Sequence, residues 1–271
     1  MRKAAFALVL AILIPPIAFS YTPDSGFKDS PHDFSTGAAG GPGSGQSYDG
    51  QASGACTYCH TPHRAIQTKL LWNHKLSANT FAWTDTTTTV GGTVFPTIDT
   101  AWKGPSKFCL SCHDGSVAIG DINWFNKTNT WTTAGSTVKH TRSGAPADWA
   151  NIANGASMNG NHPVAFPYPN WGGFPSTGYN GKATGATVYR ADFNTDPVTL
   201  GIRLFKDVGG EISAIASGDT ATTVGIECTS CHAVHNEKTI SGAKMLLRGA
   251  LDGNTSVGGT GGYICMKCHT R

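Results

Sequence analysis

Apolar residues are concentrated at the start of this chain and scattered after it. Residues 4–19 form one apolar run behind a basic start, and Pro15 and Pro16 interrupt it. The run is short for a membrane span and leads into a small-residue cleavage site, so residues 1–20 are predicted to be a secretory signal peptide. We expect residues 21–271 to form one exported domain, extracellular or at the cell surface, with the periplasm as the alternative.

Beyond the signal peptide, the pattern predicts short elements separated by turn residues. Residues 187–190 and 198–205 (VTLGIRLF) look strand-like and predict a small β-rich insert at about residues 123–225. Residues 84–89 (TDTTTT) predict a polar loop or the edge of a hairpin. Helices are expected to be short, and residues 243–250 are a candidate. No stretch after the signal peptide is apolar for long enough to span a bilayer.

The composition favours irregular structure. Glycine accounts for 34 of the 271 residues, and charged residues for only 14%. Glycine, threonine, asparagine and serine weaken helices and favour turns and caps. The predicted fold class is therefore mostly coil, with short helices and a small β-rich insert, and something other than a large side-chain core must hold it together.

Four short motifs contain every cysteine of the chain. Each has the pattern C-x-x-C-H, the attachment sequence of c-type haem. In this chemistry two thiols form thioethers with the porphyrin, and the following histidine coordinates the iron. The motifs are Cys56, Cys59 and His60; Cys109, Cys112 and His113; Cys228, Cys231 and His232; and Cys265, Cys268 and His269. They predict four covalently bound haem c groups, each with its iron, and helices at the motifs.

Zinc sites and disulfides are the alternatives for paired cysteines. Neither requires a histidine directly after every second cysteine, so the pattern favours haem. Four covalently attached haems would also stabilise the fold of a chain that has little side-chain core.

The charge gives no reason to expect a nucleic-acid partner. The formal net charge is +3, and removal of the basic signal peptide leaves about +1. The haem propionates would make the loaded protein acidic, and no dense cluster of lysine and arginine is present.

Six histidines remain as candidates for the second axial position of the four irons. His63 and His235 each follow a motif histidine by three residues, so they cannot reach their own iron but can bind a neighbouring one. His140 has basic neighbours and looks like a surface histidine. The predicted distal ligands are His32, His63, His74, His162 and His235. Because five candidates exist for four irons, the pairing is left open.

The order of the motifs resembles a known family. HDFS at residues 32–35 is followed by CTYCHTPH, LWNH, CLSCHDG, NHP, CTSCHAVH and CMKCH. This series is similar to multihaem cytochromes of metal-reducing bacteria, in particular to tetrahaem extracellular cytochromes that polymerise into nanowire filaments. The resemblance does not extend to residues 123–159.

The resemblance implies bis-histidine haems in a continuous chain of stacked and T-shaped pairs. It also implies a homopolymer in which one distal histidine comes from the next subunit. The matching position here is His63, and His32 on the N-terminal arm is the rival.

Electron transfer is the predicted function, with redox proteins or extracellular acceptors as partners and no catalytic residues. A monomeric periplasmic carrier would use the same cofactors. A multihaem reductase would need an iron with an open position, which the supply of histidines does not favour. The chain is therefore not expected to be an enzyme.

Overall fold

The computed structural model describes residues 30, 32–33, 56, 59–63, 65, 67, 69–116, 152–153, 156–235, 246–250 and 263–270. The predicted signal peptide, His140 and the first part of the predicted insert lie outside these residues.

Helices in the described part are short, and most of them coincide with the cysteine motifs. Helix α1 (Pro105–His113) contains the second motif and has a proline in its first turn, where the missing N–H costs no hydrogen bond. Helix α2 (Cys228–Cys231) is the third motif itself. Single 3-10 turns occur at Lys69–Leu71, Arg190–Asp192 and Ile264–Lys267, the last within the fourth motif.

The helix predicted at residues 243–250 is wrong for its described part, residues 246–250. Ala233 donates a backbone hydrogen bond to Leu246 at 2.7 Å, and Arg248 donates one to Cys231 at 2.8 Å. This segment therefore pairs with the chain around the third motif, which uses the backbone groups that a helix would need.

One four-stranded antiparallel sheet lies in the second half of the chain. Its strands are β1 (Phe166–Pro167), β2 (Phe205–Val208), β3 (Glu211–Ala214) and β4 (Val224–Ile226). Their order across the sheet is β1-β4-β2-β3. β2 and β3 form a hairpin in which Phe205 lies opposite Ala214, and Phe166 of β1 lies opposite Ile226. β2 is the only one of these strands that overlaps a strand-like stretch of the sequence.

Both strand-like stretches are mostly turn. Residues 198–204 fold back before β2 begins, with Leu200 donating to Pro197 at 3.1 Å and Gly201 donating to Val198 at 3.0 Å. Gly201 adopts a φ of 88°, which permits this reversal. Residues 187–190 lead into the Arg190–Asp192 turn instead of a strand. Residues 84–89 do reach a hairpin edge, since Thr88 bridges Val94.

Two buried apolar clusters flank the sheet. The first cluster links α1 to the sheet and includes Phe81, Trp102, Leu110 and Tyr179. The second lies between the sheet and the fourth motif and includes Tyr168, Leu204, Val224 and Ile264. Two cysteine motifs are therefore attached directly to apolar packing around the sheet. No helix among the described residues has the length and apolarity needed to cross a bilayer.

Candidate haem-binding sites

The cysteine motifs share one local conformation. The N–H of the motif histidine donates to the carbonyl of the first cysteine at 2.8 Å for His60, 3.0 Å for His232 and 2.8 Å for His269. The second motif ends α1. A single turn of this kind places the two cysteines, three residues apart, on one face with the histidine beside them. This arrangement suits two thioether bonds to one porphyrin edge and an axial histidine under the ring.

None of the eight cysteines forms a disulfide bond in the structure. Burial raises the pKa of Cys59 to about 12 and that of Cys268 to about 12, with smaller contributions from neighbouring thiols. These sulfurs therefore stay protonated until they react. A thioether carries no charge, so bond formation to a porphyrin leaves no buried thiolate behind.

The thiols also show which motifs are neighbours. Burial and then the nearby Cys59 thiol raise the pKa of Cys112, which places the first motif beside the second. The hydrogen bond that the Cys109 thiol donates to the Cys228 sulfur is the largest cause that raises the pKa of Cys109. The second motif is therefore beside the third.

The third motif in turn lies beside the fourth. Burial raises the pKa of Cys231 to about 11, and the thiols of Cys228 and Cys265 add to the increase. Each motif is thus close to the motif that follows it in the sequence.

Three motif histidines face a histidine from elsewhere in the chain. The ring centroids of His113 and His32 are 6.0 Å apart, those of His60 and His235 are 6.1 Å apart, and those of His269 and His162 are 6.5 Å apart. A histidine nitrogen binds a transition metal at about 2.0 Å, so rings on opposite sides of one metal have centroids about 6 Å apart once the ring radii are added. All three separations fit a single iron between the rings.

Hydrogen bonds set the tautomer of several candidate ligands. Nδ1 of His60 is 2.6 Å from the Leu70 carbonyl, and Nδ1 of His162 is 2.9 Å from the carbonyl of Pro163. A carbonyl can only accept, so Nδ1 carries the proton and Nε2 keeps the lone pair that binds metals. In His269, burial is the main cause that lowers the pKa, which favours the neutral ring that coordination requires.

His74 and His63 occupy contrasting positions. The side chain of His74 is 1% exposed, and its Nδ1 is 2.8 Å from the Lys75 carbonyl, so it has the same tautomer. His63 is exposed. Within the described part of the chain no ring contact of His63 is recorded, although its backbone N–H meets the Thr61 hydroxyl at 3.4 Å. The remaining motif histidine, His232 of the third motif, follows directly after α2.

A buried donor beside the first motif has no acceptor. The indole N–H of Trp72 makes no hydrogen bond, and the Trp72 ring lies 6.1 Å from the ring of His60. Buried donors are nearly always satisfied in native proteins, so this indole is suited to an acceptor that the polypeptide does not supply. A haem propionate has the right chemistry.

No group of three or more metal-binding side chains occurs among the described residues. Haem iron needs only two protein ligands, because the porphyrin nitrogens occupy the other four positions. Paired histidines are therefore the relevant arrangement. No protein-family model and no curated protein matches this chain. The assignment of the sites consequently rests on the chain's own residues.

Contacts that hold the motifs in place were not predicted from the sequence. The side-chain amide of Asn194 donates to the carbonyls of Met266 and Lys267 at 3.0 and 2.9 Å, which ties the fourth motif to the segment between β1 and β2. Glu227 contacts α1 through Ser106. The only sequence signal for Glu227 is its place directly before the third motif.

Proposed function

We propose that this protein is a tetrahaem c-type cytochrome that transfers electrons. The observation that carries the proposal is the set of three histidine pairs, each joining a motif histidine to one distant in sequence at a separation that fits bis-histidine iron. The cofactors would be four haem c groups held by the eight motif cysteines. Haem iron supplies reversible one-electron chemistry when bound.

The chain's own residues have definite tasks in this proposal. Motif turns present the thiols, carbonyl groups hold the histidines in the tautomer that binds iron, and adjacent motifs keep the centres close. Two ligands at each of three centres leave no open position there for a substrate, which favours electron transfer over a reductase. At the remaining centre, that of the third motif, His232 would pair with the buried His74 of the same chain or with His63 of a neighbouring subunit.

We extend the proposal to an extracellular homopolymer, a conducting filament that passes electrons to redox proteins or extracellular acceptors. His63 is the candidate for the ligand that crosses between subunits, because its side chain is exposed. His32, the rival, lies against His113 of its own chain. The monomeric periplasmic carrier is the alternative outcome.

The test is to express the exported protein with haem-attachment machinery, together with the His63→Ala and His32→Ala variants. We expect the wild type to gain the mass of four haems, to show only low-spin spectra and to form filaments visible by cryo-electron microscopy. His63→Ala should keep four haems and lose the filaments. His32→Ala should create one high-spin centre within its own subunit.

Each part of the proposal fails on a different result. Fewer than four attached haems in the wild type would contradict the tetrahaem assignment. Intact filaments from His63→Ala would remove His63 as the crossing ligand. A wild-type protein that is monomeric at all concentrations, with four low-spin haems, would contradict the filament and favour the monomeric periplasmic carrier.

A further inference from the structure

Glu227 is a carboxyl group in an unusual place. Its side chain is 1% exposed, and it lies directly before Cys228 of the third motif. Burial of a carboxylate is unfavourable unless hydrogen bonds or positive charge compensate it. The position therefore needs a structural or electrostatic explanation.

Hydrogen bonds from two different segments converge on the two oxygens of Glu227. Oε2 accepts the backbone N–H of Ser106 in the first turn of α1 at 2.9 Å. Oε1 accepts the hydroxyl of Tyr179 at 2.7 Å. In return, the Ser106 hydroxyl accepts the backbone N–H of Cys228 at 3.0 Å. The two motif helices are thus joined by reciprocal bonds at their N-terminal ends.

The packing leaves space for this carboxyl group and little more. A Cβ atom added to Gly104 would overlap Oε1 of Glu227 and the indole nitrogen of Trp102. The indole nitrogen lies beside Oε1 without a hydrogen bond of good geometry, but its partial positive charge still favours the carboxylate. A side chain at position 104 would therefore displace the carboxyl group.

We propose that Glu227 is a positioning residue for electron transfer, which fixes the helix of the second motif against the helix of the third and gives both centres a common negative charge. This inference rests on the function proposed above. Its site is the junction of α1 and α2, where Cys109 and Cys228 are within hydrogen-bonding distance of each other.

The charge at this junction has a predictable effect on the haems. A nearby carboxylate stabilises the oxidised, more positive iron over the reduced one, so it lowers the reduction potential. Burial raises the pKa of Glu227 to about 7, although Ser106, Tyr179 and Trp102 oppose the increase. The charge is therefore partly present at neutral pH and complete above it.

The other ionisable groups around the junction belong to four segments. Burial raises the pKa of Tyr179, so its hydroxyl is neutral near pH 7. The hydrogen bond between the two thiols raises the pKa of Cys109 and lowers that of Cys228, but both sulfurs are uncharged once they form thioethers. Lys69 interacts electrostatically with both Glu227 and Glu211, and burial lowers its pKa. Glu227 is thus the group at this junction expected to change charge around neutral pH.

The experiment is a spectroelectrochemical titration of the haem-loaded protein at several pH values. Glu227→Gln keeps the size and an acceptor for Ser106, and it removes the charge. For this variant we expect four attached haems. Two of its four reduction potentials should be higher than in the wild type and independent of pH around neutrality. In the wild type the same two potentials should fall as the pH rises through the pKa of Glu227 and then level off. The matched control, Glu211→Gln, removes an exposed carboxylate bound to Lys103 and should leave all four potentials unchanged.

A second variant keeps the proposal testable if Glu227→Gln folds poorly. Tyr179→Phe retains the buried ring and removes one hydrogen bond to the carboxylate, so the fall in potential should move to higher pH. Four haems with wild-type titration curves in both variants would overturn this inference alone. A wild type without four haems would overturn the proposed function as well.

Discussion

The sheet and the cysteine motifs are held together in different ways. Around the sheet, Tyr168, Leu204 and Val224 are almost completely buried, and neighbouring strands satisfy each other's backbone groups. The motifs consist of single turns, and α2 has only four residues. Isolated helices of that length are unstable in water. The sheet can therefore be stabilised by side-chain packing, whereas the motifs need an additional source of stability beyond their own turns.

The first motif shows the contrast most clearly. Leu70 and Leu71, which follow it, adopt positive φ angles of 60° and 51° and are about half exposed. Exposed leucines in strained backbone are unfavourable unless something else holds the segment. A covalent, doubly ligated haem would supply apolar contact and a restraint at this point. The comparison implies that loss of a haem and loss of core packing should damage different parts of the molecule.

Removal of one haem should give the largest effect. The double substitution of Cys109 and Cys112 by serine would delete the covalent link proposed at the second motif. By analogy with the loss of a disulfide, we expect the free energy of unfolding to fall by about 2–5 kcal/mol. Hydrogen exchange measured by mass spectrometry should become faster in α1 and α2 and stay slow in β2 and β3.

The matched control for that experiment removes the fourth motif by replacing Cys265 and Cys268 with serine. Protection should then be lost at residues 263–270, while α1 keeps its protection. Uniform loss of protection over the sheet and all motifs in either variant would contradict the division into two differently stabilised regions.

Removal of core packing at the sheet should lower the free energy of unfolding by nearly as much, without affecting the haems. Leu204 is 0% exposed, so Leu204→Ala should lower the free energy of unfolding by about 2–5 kcal/mol. Val90→Ala is the control, since Val90 is fully exposed, and it should change stability by less than about 0.5 kcal/mol. Chemical denaturation measures both, and haem content should stay at four. A loss of haem from Leu204→Ala would show that the sheet and the motifs do not act independently.

The same contrast explains what could be predicted from the sequence. The motif turns depend on residues one to four positions apart, so their spacing alone predicts short helices at the motifs. The pairing of His32 with His113, or of His162 with His269, depends on the path of the whole chain and could not be derived from local pattern. The sequence provided the candidates but could not decide their partners.

The sheet was less predictable because its strands are very short. β1 has two residues and β4 has three, too few for an alternating pattern to be distinguished from chance. The stretch at residues 198–205 is rich in β-formers, but turn bonds around Gly201 outweigh that preference until Phe205. Glu227 was missed because a buried carboxylate has no signature in sequence.

The smallest effect is expected for an ion pair on an inner strand of the sheet. Nζ of Lys206 in β2 is 2.9 Å from Oδ2 of Asp219, and both side chains are partly exposed. Lys206→Gln should lower the free energy of unfolding by less than about 1 kcal/mol at neutral pH. The hydrogen bond from Lys206 lowers the pKa of Asp219, so the contribution is complete above the ordinary carboxyl pKa and is lost as the pH falls through the lower folded value. Denaturation at neutral and at acidic pH should therefore show a small difference that disappears in acid. A difference that persists after Asp219 is protonated would mean that Lys206 acts through packing of its stem, which would make this part of β2 an extension of the apolar core.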